Sequence, residues 1–279
     1  MSDLSVTTKS TNPESTDTQM KMKKWIGNIL MQIWFPAVLI SIWQLVASLQ
    51  IYPAFMLPGP IAVVQRGWEV LTSGFLFDQI AISLKRQFTG FIMGISGALL
   101  LGFMLGISLK MRTWMMSTLK LLYPIPGIAW VPLAILWFGI GDGSIIFIIF
   151  MASIWPLLFN TISGIDAINP TLIRASKALG ATKFTLFFRV YLPGALPYVI
   201  TGLRLSYGAS WRNIVGAEIV AAASGLGYMI NNARSLLAGD EIIVGMITIG
   251  ILGFVIEKYV FDFLQKVTIK RWGLSNPDA

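Results

Sequence analysis

The amino-acid sequence predicts an all-α integral membrane protein with six transmembrane helices and both termini in the cytoplasm. Three observations predict it. Of 279 residues, 55% are hydrophobic and only 12% are charged, against about 25% charged in an ordinary soluble domain. The apolar residues fall into six segments, each near the roughly 20 residues that span a bilayer. The basic residues fall mostly on one side of those segments.

The elements follow in order. Residues 1–24 begin with a polar, Ser/Thr-rich stretch without an apolar run, read as a disordered, non-translocated cytoplasmic tail. Residues 25–279 are the transmembrane domain. The first span runs from Trp25 to Leu49, with Pro36 as a bend. Tyr52–Ile82 is an outer connector whose Tyr-Pro-Ala-Phe-Met-Leu-Pro-Gly-Pro start excludes a regular helix. After Pro60 the connector fits an amphipathic helix with Arg66 and Glu69 facing water. The second span, Gln87 to Leu109, contains Gly90-x-x-x-Gly94 and Gly102-x-x-x-Gly106, a pattern for close helix packing within the chain or across a dimer. The third runs from Leu121 to Ile140 with three prolines, and the fourth from Ser144 to Ile165 with Pro156 and Asn160. The fifth, Leu196 to Ala223, carries Arg204, Arg212 and Glu218. The sixth, Ile242 to Leu264, has Glu257 and Lys258 in its last turns.

Orientation follows from Lys and Arg. With the N-terminus inside, the inner segments hold Lys9, the Lys21/Lys23/Lys24 cluster, Lys110, Arg112 and Lys120, then Arg174, Lys177, Lys183 and Arg189, and finally Lys266, Lys270 and Arg271. The outer segments hold Arg66, Lys85, Arg86 and Arg234. The positive-inside rule therefore places both termini in the cytoplasm. The net charge of +8 is spread between spans, not gathered on a soluble module as a nucleic-acid face requires.

Cysteine and histidine are absent, which excludes disulfides, Cys/His zinc sites, thiol nucleophiles and histidine acid–base catalysis. The phosphate-cradling pattern G-x-x-x-x-G-K-[ST] is also absent. No metal site and no catalytic residue is expected on this chain.

The inner loop 166–195 is not loop-like. Asn169-Pro170 reads as a helix start, Gly180 as its stop, Thr182 as the cap of a second helix, and Leu192-Pro193 as a break after it. Within it, Arg174-Ala175-Ser176 is followed after three residues by Gly180 and after nine more by Val190-Tyr191-Leu192-Pro193. This run resembles the cytoplasmic "EAA" loop of ABC importer permeases, with the family's spacing and in the expected place between the fourth and fifth spans. Leu192-Pro193-Gly194-Ala195-Leu196-Pro197, Gly202-Leu203-Arg204, Ala217-Glu218, Gly225-Leu226-Gly227-Tyr228 and Ile135-Leu136-Trp137-Phe138-Gly139-Ile140 look like the sulfonate/taurine/nitrate branch. One position departs from the pattern: Arg174 stands where the family motif has Glu.

The resemblance implies a type I ABC importer permease in the bacterial inner membrane. It implies that Arg174, Ala175, Ser176, Gly180, Leu192 and Pro193 belong to a coupling segment near Leu172–Lys183 that docks on an ATPase. The implied partners are two ABC ATPase subunits holding ATP and Mg, a periplasmic or extracellular substrate-binding protein, and a second permease copy, most simply a homodimer. Membrane lipid surrounds it and no nucleic acid is bound.

Charged groups inside a membrane are expensive and usually functional. Arg212, near the middle of the fifth span, has two readings from sequence: interhelical hydrogen bonding, or attraction of an anion in a central cavity. Ser210, Trp211, Asn213 and Asn160 join it as substrate-path residues, each with packing or interhelical bonding as the alternative. Glu218 lies six residues past Arg212, about 240° around a regular helix, so an intrahelical pair is not expected. An ion-coupled secondary transporter is the second functional class. It predicts internal repeats and a midplane ion site, and neither is visible. A membrane-embedded enzyme needs convergent catalytic groups, and Asp142, Asp166, Asp240 and Glu241 sit at helix ends on different sides.

Overall fold

The structure, a computed structural model, describes Met31 and residues 34–269. The predicted tail 1–24, the start of the first span, and Lys270 and Arg271 lie outside the described residues. Every described regular element is helical.

The described residues divide between Ala62 and Val63 into two compact units. In the first, α1 (Trp34–Ser48) is a short apolar helix. A turn follows, in which Met56 and Leu57 donate to the carbonyl of Pro53, and Trp43 Nε1 donates to the carbonyl of Pro58 at 3.0 Å.

Helix α2 (Pro60–Thr72) matches the amphipathic helix expected after Pro60. Glu69 is exposed as expected, and Arg66 is half-buried. Arg66 does not simply face water. Its Nε donates to Glu241 Oε2 at 3.1 Å and its Nη1 to Glu69 at 3.0 Å. These bonds raise the Arg66 pKa above its ordinary value, Glu241 contributing most.

Helix α3 (Phe75–Ile107) begins twelve residues before the predicted Gln87. Lys85 and Arg86 are therefore helical, as is the end of the predicted connector from Phe75 to Ile82. A helix of 33 residues is about 50 Å long, so α3 outruns the hydrocarbon layer of about 30 Å. The Gly-x-x-x-Gly pairs serve packing within the chain. A Cβ on Gly90 would lie 2.7 Å from Ile149, one on Gly102 2.8 Å from Thr161, and those on Gly94 and Gly106 would collide with Ser153 and Ile165. All four partners lie on one later helix, α6 (Asp142–Asp166). The glycines let two helix backbones approach where lipid gives no hydrophobic drive for association.

The third predicted span is not one helix. Helix α4 (Leu109–Leu122), a 3-10 turn (Gly127–Trp130) and α5 (Val131–Phe138) replace it, with an 88° bend. Pro124 and Pro126 remove two backbone donors and bias the residues before them to extended conformation.

Helix α6 packs along α3 and along α9 (Leu192–Ala221). Ile145, Ile148, Ile149, Leu157 and Leu158 are fully buried there. Pro156 interrupts its ladder, and the interruption is repaired laterally. Ser206 Oγ on α9 accepts from Leu157 N, the amide after the proline, at 3.0 Å; Asn160 Nδ2 bonds back along its own helix to the Pro156 carbonyl at 2.8 Å. Neighbouring side chains make membrane prolines tolerable in this way.

The loop 166–195 contains α7 (Pro170–Ala178) and α8 (Lys183–Leu186). The expected break at Leu192-Pro193 does not occur. A π-helical segment (Phe187–Tyr191) joins α8 to α9, and helix is continuous from Lys183 to Ala221. The wider π turn absorbs the ring of Pro193, which clashes with the carbonyl four residues back in a regular helix. Then come α10 (Leu226–Ser235), α11 (Gly239–Val255), a second π segment (Ile256–Phe261) and α12 (Asp262–Ile269). Among the described residues, four helices are long and apolar enough to cross a membrane, or five if the bent α4–α5 pair counts as one span.

Candidate functional site

The motif loop folds locally, as its residues dictate. Asn169 Oδ1 accepts from Thr171 N at 2.8 Å and caps α7. Gly180, at φ +79°, turns the chain in the left-handed region, where a side chain costs roughly 1–2 kcal/mol. Ala181 N then reaches back to the Ser176 carbonyl at 3.0 Å, closing the helix end. Thr182 Oγ1 accepts from Thr185 N at 3.2 Å and caps α8. Ile168, Leu186 and Val190 form a small core under the turn. A bidentate pair from Arg112 to Asp166, at 2.6 and 2.7 Å, ties α4 to the end of α6 where the loop begins.

The outer surface of this loop is unusual for its chemistry. Arg174 and Ala175 are exposed, Ser176, Leu192 and Pro193 half-buried. Leu172, Leu179 and Phe184 are 53%, 89% and 73% exposed. A cleft of about 350 Å³ runs beside the corner, lined by Ser176, Leu179, Gly180, Thr185 and Arg189 among others.

The five residues expected along a substrate path do not share one surface. Ser210 is fully buried; it accepts from Gln87 Nε2 at 2.7 Å and donates to the Tyr207 carbonyl at 3.0 Å. Trp211 is buried and its Nε1 donates to the Ile249 carbonyl at 3.2 Å. Asn213 is half-buried; its Nδ2 donates to the Ala209 carbonyl at 2.9 Å, and its Oδ1 lies 2.6 Å from where a Cβ on Gly127 would sit. The close approach of Gly127 brings the α4–α5 bend against the middle of α9. Asn160 is half-buried on α6, beside Gly202. Arg212 alone of the five is exposed, and it forms no ion pair among the described residues. The lower cation of the same helix, Arg204, is paired with Glu257 at 3.2 Å and Asp262 at 3.4 Å.

Sequence reading missed a second polar centre. Gln79, Ser83 and Arg86 are spaced four and three residues apart on α3, so they share a helix face. Arg86 is buried and reaches Glu218 at 3.0 Å, Asp142 at 2.7 Å, and Ser224 through its carbonyl at 2.6 Å and its hydroxyl at 3.0 Å. Glu218 also accepts from Ser83 Oγ at 2.8 Å and Gly227 N at 2.9 Å. Gln79 and Ser83 accept from Gly225 N and Leu226 N, at 2.6 and 2.8 Å. The first amides of α10 are thus satisfied by α3 and α9, with a carboxylate at the positive helix end. A run of polar residues at helical spacing inside an apolar stretch was the signal for it.

Comparisons with known proteins agree with this architecture. Residues 94–273 match the family model described as binding-protein-dependent transport system inner membrane component. The chain is 32% identical over 252 residues to the putative aliphatic sulfonates transport permease protein SsuC of Bacillus subtilis, covering 90% of each chain. It is 34% identical over 226 residues to the taurine transport system permease protein TauC of Escherichia coli, covering 79% of this chain and 82% of that one. The fold resembles an inward-facing crystal form of the MetNI methionine ABC transporter, with a TM-score of 0.61 at 19% identity, over 69% of this chain and 95% of that one. The chain therefore belongs to the family of binding-protein-dependent transport system inner membrane components, the multi-pass permeases of ABC importers.

Proposed function

We propose that this chain forms the translocation path for a small anionic solute, of the class of aliphatic sulfonates, taurine, nitrate or bicarbonate, and couples it to a separate ATPase. Arg212 is the observation that carries the reading: an exposed guanidinium on a spanning helix, without an ion pair among the described residues. A bare cation in the membrane is costly, and a transient anion in a water-filled path relieves that cost. The relatives named for sulfonates and taurine support the same class of cargo. Asn213 and Asn160 supply further polar groups near the path, while Ser210 and Trp211 support the helix that presents Arg212.

The loop 166–195 is the coupling element. Leu172, Leu179 and Phe184 present apolar surface outside the spans, and an ATPase groove is the partner that covers it. Arg174, Ala175, Ser176 and Gly180 form the docking face, with Leu192 and Pro193 passing the movement into α9. Two permease copies, two ATPases that hold ATP and Mg, and a substrate-binding protein complete the transporter. The chain itself binds no cofactor, has six spans within residues 25–279, and keeps both termini in the cytoplasm.

The test is uptake of a radiolabelled sulfonate by the assembled transporter in proteoliposomes. Arg212→Ala cuts uptake strongly while ATPase association is unchanged, and Arg212→Lys keeps part of it. Wild-type uptake by Arg212→Ala removes the anion role.

A further inference from the structure

An apolar groove lies where α3 gives way to α4. Its volume is about 670 Å³, and Leu100, Phe103, Met104, Ile107, Met111 and Phe187 line it, with Ser108 as the one polar residue. The groove exists because the chain breaks at Ser108, in extended conformation, between the two helices. Phe187, at the start of the π segment above α9, forms the opposite wall.

Its depth in the bilayer can be placed from α3. The run from Phe88 to Ile107 carries no charge and, at roughly 20 residues, is about 30 Å long. Ser108 and Lys110 therefore stand at a membrane surface, with the groove just inside it. Trp114 is 74% exposed one turn further on, and Lys110 Nζ lies 5.5 Å above its ring. An exposed Trp beside a Lys is the arrangement of a membrane-interface belt. The two cations of this turn differ. Arg112 is engaged with Asp166, whereas Lys110 is exposed and pairs with no carboxylate among the described residues.

We propose that this groove is a specific site for an anionic phospholipid. One acyl chain fills the apolar cleft, and the headgroup phosphate sits at Lys110. Met104 and Met111 suit a flexible chain, since unbranched thioethers adapt to irregular shapes. The volume lies within the 300–1,000 Å³ range typical of ligand pockets. Because Phe187 belongs to the segment joining the inner loop to α9, an occupied groove stiffens the part of the chain through which loop movement reaches the span. The site depends only on the membrane placement of α3, and it stands whether or not Arg212 contacts cargo.

The test uses the full chain in phosphatidylcholine vesicles, with a minor fraction of lipid carrying a photoreactive group on one acyl chain close to the glycerol. The labelled lipid is either phosphatidylglycerol or phosphatidylcholine, and labelled peptides are mapped by mass spectrometry. Phosphatidylglycerol labels peptides spanning 99–111 and 183–189 about fivefold more than phosphatidylcholine, the preference one basic side chain gives at an anionic surface. Lys110→Gln brings that ratio toward one, and Met104→Trp, which fills the cleft, lowers labelling by both lipids. Equal labelling by the two lipids overturns the proposal, as does labelling spread evenly over the exposed faces of α3 and α11. A disulfide between two copies carrying Met104→Cys also overturns it, because a second copy then covers the groove.

Discussion

Two arginines on neighbouring spanning helices show how differently the same charge is used. Arg86 on α3 is buried and bonded to Glu218, Asp142 and both polar atoms of Ser224. Arg212 on α9 is exposed and forms no ion pair among the described residues. The first holds α3, α6, α9 and the turn before α10 in one arrangement. The second pairs with no carboxylate among the described residues, which leaves it open for the solute role proposed above. The role of an intramembrane cation is thus read from its partners, not from its position in a hydropathy profile.

The largest expected effect tests the Arg86 side of this contrast. Arg86→Ala leaves Glu218 buried without its counter-charge, and breaking a buried pair from one side costs about 3–5 kcal/mol. The variant should melt well below wild type in detergent, or fail to accumulate. Combining Arg86→Met with Glu218→Gln should restore much of the loss, because neither charge is then stranded. A single variant that melts like wild type would show that the centre is not holding the helices together.

The next effect is steric. Gly102→Leu drives a side chain into Thr161 on α6, and overpacking of this kind costs about 1–3 kcal/mol. Differential scanning fluorimetry of the purified protein should show the drop, and pairing with Thr161→Gly should recover part of it. Recovery is the informative arm, since it separates a local clash from a general loss of helix propensity.

Gly180→Val carries a smaller cost, roughly 1–2 kcal/mol confined to the corner between α7 and α8. Membrane levels should stay near normal while co-purification of the ATPase weakens. Unchanged co-purification and unchanged transport would count against the docking role of the loop.

The smallest stability effect belongs to Arg212. With no ion-pair partner among the described residues to strand, Arg212→Ala should change stability by less than about 0.5 kcal/mol, yet uptake should fall by about tenfold or more. Arg212→Lys keeps charge without the planar fork and should be intermediate. A large stability loss in Arg212→Ala would erase the contrast with Arg86.

Much of the chain was legible because the bilayer imposes simple rules. The apolar character of the segments, the Gly-x-x-x-Gly spacing and the motif loop all depend on residues near one another in sequence, whereas the lengths did not follow: α3 starts twelve residues early and the third predicted span is broken. The cap at Asn169, the left-handed corner at Gly180 and the cap at Thr182 appeared where local chemistry places them. Proline was the least legible residue. Pro193 was read as a break, yet a π segment carries the helix through it. Pro124 and Pro126 were read as part of a span, yet they bend it by 88°. Whether a proline ends, bends or merely widens a helix depends on which neighbouring groups take up the freed backbone bonds.

By itself the sequence determined the class of the molecule and the helix–corner–helix form of the loop 166–195, since hydropathy, spacing and backbone preference are local properties. Tertiary structure decided which polar residues are spent on the fold. Only the packing of α3 against α6 and α9 brings Arg86 to Glu218 across 132 positions, buries Ser210 and Trp211, and leaves Arg212 uncovered. Charge pairing acts over a few ångströms in space whatever the separation along the chain, so no reading of spacing could assign it.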